Sequence, residues 1–138
     1  QGWKFDKQTA LKGIAHQDDI RFIGFVPDED MAALYSAADA FLFPTLYEGF
    51  GIPVIEAQSC GTPVLTSNVS SLPEVGGDAA VYVDPYDVED ICDGIVKITG
   101  DASLAQELRQ KGYENAKRFS WEKSAEILRE VIEREVMR

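Results

Sequence analysis

The sequence predicts an α/β fold, a parallel sheet with helices on both faces, and two observations carry that expectation. Short apolar runs alternate with segments of helical periodicity, many of ten residues or more, which implies right-handed crossovers between parallel strands. One of these runs, residues 40–43 (AFLF), shows no polar alternation, as a strand covered on both faces requires. At 138 residues the chain fits one domain. A chain of that size buries about 68–70% of its unfolded surface, enough for a real core.

Taken in order, residues 5–16 put Leu11, Ile14 and Ala15 at helical spacing, and Gln17, Asp18 and Asp19 break the pattern. Ile20, Phe22, Ile23 and Phe25 form an aromatic and β-branched run closed by Gly24 and Pro27, which reads as a strand. Asp28 is a good N-cap for a helix whose Met31, Leu34, Tyr35 and Ala38 share one face. The run at 40–43 follows as a second strand, and residues 45–51 as a strand-to-helix loop. Pro53, Val54, Ile55, Ala57 and Cys60 fit a helix that stops at Gly61; Pro63, Val64 and Leu65 begin a third strand. Residues 67–73 read as polar loop, 74–77 as a short turn, and Val81, Tyr82 and Val83 as a fourth strand. Pro85 introduces a helix over 88–98, and helices over 104–119 and 121–136 complete the chain. The layout is a doubly wound, Rossmann-like sheet. Gln1, Gly2 and Trp3 lead straight into a helix with no strand ahead, so the sheet is expected to be truncated at its N-terminal end.

Charge narrows the partners. Twenty-four acidic against thirteen basic residues give a net charge of -11, and the basic residues form no block that could neutralise a nucleic-acid backbone. No nucleic-acid partner is expected. The acidic groups fall on helical faces that solvent normally covers. Cys60 and Cys92 are far apart and in no metal-ligand spacing, which fits a reduced, cytoplasmic compartment. No signal segment and no apolar run approaching about 18 residues is present.

The most informative segment is YEGFGIPVIE, residues 47–56, which follows the buried strand and opens a helix. It sets Glu48 and Glu56 eight positions apart across a glycine-rich turn. Gly49 and Gly51 let the backbone bend and approach a ligand, and free N–H groups at a helix start favour a negative group such as a diphosphate. Glu56 falls about one turn into the helix, where a carboxylate can accept paired hydrogen bonds from a ribose diol. Glu48 precedes the turn and can reach a sugar.

Residues 22–85 and 119–125, including FLFPTLYEGFGIPVIEA, TSNVSSLPEVGGDAA and FSWEKSA, resemble the C-terminal domain of family 4 glycosyltransferases across roughly residues 20–125. The resemblance implies a GT-B enzyme. In such an enzyme two Rossmann-like domains face a cleft, the C-terminal one binds a nucleoside-diphosphate sugar, and a hexose is transferred with retention and without a metal or other cofactor. It makes Glu48 the motif glutamate beside the donor sugar at the reaction centre and Glu56 the one that holds the ribose. Phe50, Gly51 and Ile52 become the turn whose amides meet the sugar and diphosphate, and Gly24, Phe25 and Val26 the strand end that receives the base. The loop with Asn68, Ser71 and Glu74 would lie near the cleft and support the glutamate turn. Equally, Asn68 and the serines could make only local turns and Glu74 cap a helix.

The family's basic Arg and Lys pair would lie before Gln1, as would the N-terminal domain that binds the acceptor. Residues 1–138 are therefore expected to form a single donor-binding domain, incomplete at its start and inactive alone. Gly2 and Trp3 match the end of the family's second strand. A non-catalytic nucleotide-sugar-binding or interaction module is the alternative; a sugar-nucleotide epimerase is disfavoured by the two glutamates. Peripheral membrane association of a longer parent and self-association of this chain through an exposed sheet edge stay open. His16 reads as a solvent-facing residue, Asp28 and Asp30 as capping groups rather than a metal motif, and Cys60 as a small core residue.

Overall fold

The computed structural model describes residues 6–136. The helices are α1 (Lys7–Leu11), α2 (Asp28–Ala37), α3 (Ile52–Ser59), α4 (Leu72–Gly76), α5 (Val88–Gly100), α6 (Ala102–Ala116) and α7 (Trp121–Val136), with a 3-10 turn at Gln17–Asp19. The strands β1 (Phe41–Phe43), β2 (Val64–Ser67) and β3 (Ala80–Val83) form one parallel sheet in that order, with Leu42 opposite Leu65 and Leu65 opposite Val81.

The central strand explains the layers. Successive side chains of a strand point to opposite faces, and Val64 joins a cluster with Tyr35, Val54, Ala57, Leu72 and Val75 from α2, α3 and α4. Its neighbour Leu65 joins Val83, Ile98 and Leu108, the last two from α5 and α6. The two-face burial expected of the AFLF run is thus found at β2 instead: β1 lies at the end of the described sheet and its Leu42 is 42% exposed. Burying each large apolar side chain of these two clusters stabilises the fold by about 1.5–3 kcal/mol. All four residues of β2 are buried.

Three expectations are corrected. Residues 20–25 form no strand: they run as coil, with Ile20, Phe22, Ile23 and Phe25 exposed. Their composition suits a strand, but a strand persists only in a ladder, and no described strand pairs with them. The sheet therefore has three described strands rather than four. Residues 6–16 do not make one helix: α1 ends at Leu11, Lys12 turns extended, and Gly13 takes a left-handed φ of 85°. Asp28 is the first residue of α2, with Pro27 at the cap position and no side-chain cap; together with Glu29 and Asp30 it places negative charge where the helix dipole favours it.

β2 also runs on past Leu65. Thr66 continues it, and Ser67, expected to open a polar loop, stays in it: the two pair with Tyr82 and Val83 of β3, and their hydroxyls donate to the carbonyls of Phe43 (3.0 Å) and Thr45 (2.6 Å). α4 likewise starts at Leu72, two residues before the expected turn. The expectations at Gly2, Trp3 and Phe5 lie outside the described residues.

Candidate functional site

The turn between β1 and α3 lies at the carboxyl end of a parallel strand, where open α/β sheets bind ligands. Gly51 closes it in a left-handed conformation, φ 107°, and serves as the N-cap of α3 without any side-chain cap. A β-carbon there would come within 2.9 Å of Leu72 Cδ2, so both the dihedral and the space call for glycine. Pro53 occupies the first turn of the helix.

Glu48 sits in this turn, half-buried, and its main chain is held by the loop after β2. The Ser70 hydroxyl donates to the Glu48 carbonyl and lies 3.3 Å from the Glu48 amide, which donates back to it. The Ser71 hydroxyl lies 3.0 Å from the Glu48 carbonyl and 2.8 Å from that of Phe50. Ser70 has φ 60°, unusual for a residue with a side chain. Of the three loop residues singled out by sequence, Ser71 reaches the turn. Asn68 and Glu74 do not: both side chains are exposed, and the main chain of Glu74 is engaged instead, its carbonyl accepting from Arg118 at 3.4 Å.

Glu56 is placed by α3, one helical turn past Gly51. The Tyr35 hydroxyl donates to its Oε2 at 3.3 Å. Burial, and secondarily the negative charge of Glu56, push the Tyr35 phenol up to about 12. Phe50, Ile52 and Glu56 line one hollow of about 420 Å³ together with Phe119 and Trp121. The Phe50 ring meets Phe119 edge-on with centroids 6.0 Å apart, and the Arg118 guanidinium lies 5.2 Å from the centre of the Phe119 ring. Gly49 is exposed in the turn. Gly24, Phe25 and Val26 lie in coil outside this hollow, and Phe25 is 88% exposed.

Beneath α3 runs a buried polar network. Gln58 Nε2 donates to the carbonyls of Gly76 and Ala79, both at 3.2 Å. Asn115 Nδ2 donates to Gln58 Oε1 (2.7 Å) and to the Val75 carbonyl (2.8 Å), and Arg118 Nη1 donates to Asn115 Oδ1 at 2.7 Å. These bonds fasten α3 to α4, to the start of β3 and to α6. Among the described residues, no cluster of three or more His, Cys, Asp or Glu side chains is placed to hold a metal ion, and no helix is long and apolar enough to cross a membrane.

A family model described as glycosyl transferases group 1 matches residues 4–134. The chain belongs to that family. It is 47% identical over 124 residues to the O-antigen chain mannosyltransferase B of Escherichia coli, a match that covers 88% of this chain and 32% of the relative. Among solved structures it superposes on sucrose-phosphate synthase from Thermosynechococcus elongatus with a TM-score of 0.81 and 30% identity, covering 91% of this chain and 33% of that one. A glycosyltransferase involved in lipopolysaccharide biosynthesis gives a TM-score of 0.63 at 27% identity, covering 75% and 30%. The chain thus spans about a third of the length of these relatives. The expected C-terminal domain of a GT-B glycosyltransferase, with its Rossmann-like sheet, is borne out.

Three features of this glycosyltransferase domain escape the sequence reading. Tyr35 is legible only as one member of an apolar helix face. Ser70 belongs to the loop expected to support the glutamate turn, but its own part in that depends on a backbone angle that no local pattern signals. Gln58 and Asn115 are 57 positions apart and look like ordinary helix polars.

Proposed function

We propose that this chain is the donor-binding domain of a retaining hexosyltransferase, holding a nucleoside-diphosphate sugar from which the hexose passes to an acceptor hydroxyl. The observation that carries the reading is the placement of Glu48 and Glu56 on either side of one turn at a strand's carboxyl end, closed by Gly51 at an uncapped helix start. The mannosyltransferase relative favours mannose as the hexose.

In this reading Glu56, held by Tyr35, accepts hydrogen bonds from the ribose diol. The amides of Gly51 and Ile52 face the diphosphate, whose charge the helix start favours without requiring a metal. Gly49 and Phe50 shape the turn around the sugar, and Glu48 lies beside it, where a carboxylate stabilises positive charge developing at the anomeric carbon. The base rests against Gly24, Phe25 and Val26. The remaining two thirds of a longer cytoplasmic enzyme would supply an N-terminal domain with the acceptor site and a basic pair for the diphosphate. Most of the acceleration would come from positioning and from stabilising the departing phosphate.

Calorimetric titration of UDP, GDP and ADP, with their sugar forms, into this chain and into Glu56→Ala tests the proposal. Selective binding of one nucleotide, weakened at least about tenfold in the variant, is expected from the loss of two hydrogen bonds to a charged acceptor. Equal binding by both proteins would contradict the role of Glu56.

A further inference from the structure

We infer that Ser70 and Ser71 are positioning residues for Glu48, and that their hydroxyls let the site favour a sugar-bearing donor over the bare nucleoside diphosphate. The inference rests on the donor-binding reading of this site. Glu48 belongs to neither a helix nor a strand, so no ladder fixes its main chain. Instead Ser70 engages both its amide and its carbonyl, and Ser71 reaches the same carbonyl at 3.0 Å and that of Phe50 at 2.8 Å.

A hydroxyl has one proton to donate and lone pairs to accept with. Ser70 uses both capacities on Glu48 alone. Ser71 has a single proton for two carbonyls, so it ties Glu48 and Phe50 together across Gly49. The carboxylate of Glu48 leaves the backbone from the residue these bonds fix, and a small displacement of such a group is enough to forfeit its contact with a ligand.

The conformation of Ser70 adds an independent argument. At φ 60° a glycine would sit without strain, whereas a residue with a β-carbon is penalised. What the serine adds for that penalty is the hydroxyl, and the hydroxyl is spent on Glu48. The loop carrying it is anchored at both ends, by the Asn68 amide donating to the Val83 carbonyl at 2.9 Å and by the fully buried Leu72.

The test uses Ser70→Gly, Ser71→Ala, their combination, and Ser71→Thr, which keeps a hydroxyl. Ser70→Gly removes the hydroxyl and relieves the dihedral, so its melting temperature should equal or exceed that of the unaltered chain. Dissociation constants are then measured for the preferred nucleoside diphosphate and for its sugar form. The combined variant should bind the diphosphate within about twofold of the unaltered chain and the sugar form about tenfold more weakly, the effect of one or two hydrogen bonds. Ser71→Thr should retain the preference for the sugar form. A sugar-form affinity unchanged in the combined variant, or a loss shared equally by the diphosphate, would overturn this inference while leaving the donor reading intact. Failure of the unaltered chain to bind any nucleotide would overturn the donor reading and this inference with it.

Discussion

The two glutamates are eight residues apart and are held by opposite means. Glu56 projects from a helix whose underside is fastened by Gln58 and Asn115, and its carboxylate itself meets the Tyr35 hydroxyl. Glu48 projects from a turn whose main chain hangs on two serine hydroxyls from an adjacent loop. The first arrangement fixes a side chain on a rigid element; the second fixes the main chain from which the carboxylate projects. That difference suits their proposed partners, since a ribose is common to every nucleotide while the transferred sugar must be gripped as its charge changes.

Three substitutions separate the two supports. The largest effect is expected from Asn115→Leu, which leaves Gln58 Oε1 and the Val75 carbonyl buried without their donor. It should cost about 3 kcal/mol of stability, read from the midpoint of urea unfolding. Gly51→Ala should cost about 2 kcal/mol, because the new β-carbon meets Leu72 Cδ2 at 2.9 Å from a backbone with φ 107°. Unlike Asn115→Leu it should also weaken donor binding in the folded protein, since it displaces the turn itself. A Gly51→Ala protein with unaltered donor affinity would show that the turn does not meet the ligand.

The smallest effect belongs to Tyr35→Phe. Its bond to Glu56 is long, 3.3 Å, and its removal should weaken ribose recognition only about twofold to threefold. It should be visible in alkali. Because the Tyr35 phenol is pushed up to about 12 from 10.0, folding favours its neutral form. That stabilisation is complete below pH 10 and is lost as pH rises from 10 to 12. Tyr82, raised to about 12 by burial and then by Asp78, loses stability over the same window. Unfolding of Tyr35→Phe should therefore depend less steeply on pH between 10 and 12 than that of the unaltered chain, without becoming flat.

What the sequence made legible, and what it did not, follows the range of the interactions. The run AFLF, as a strand, and the glycine-rich turn between the glutamates announce themselves locally, because a strand and a tight turn each demand particular residues in a row, although the two-face burial expected of AFLF fails at the exposed Leu42. The segment with Ile20, Phe22, Ile23 and Phe25 has equally strong strand composition, yet a strand is a relation between segments, and no described strand pairs with this one. Ser67 errs in the other direction: it looks like loop and lies in the central strand, paired with Val83 of β3 while its hydroxyl donates to the Thr45 carbonyl. The Ser70 clamp and the Gln58–Asn115 pair depend on a dihedral angle and on a contact across 57 residues, neither of which a sequence window contains.

The central claim is that the turn from Glu48 to Gly51 and the first turn of α3 receive a nucleoside-diphosphate sugar. Amide chemical shifts of the isotope-labelled chain, followed during titration with the sugar nucleotide it prefers, test this most directly. The account expects the largest shifts at Glu48, Gly49, Phe50, Gly51, Ile52 and Glu56, smaller ones at Ser70 and Ser71, and none along the outer face of α5. Saturable shifts confined to other elements, with the amides of residues 48–56 unmoved, would contradict it.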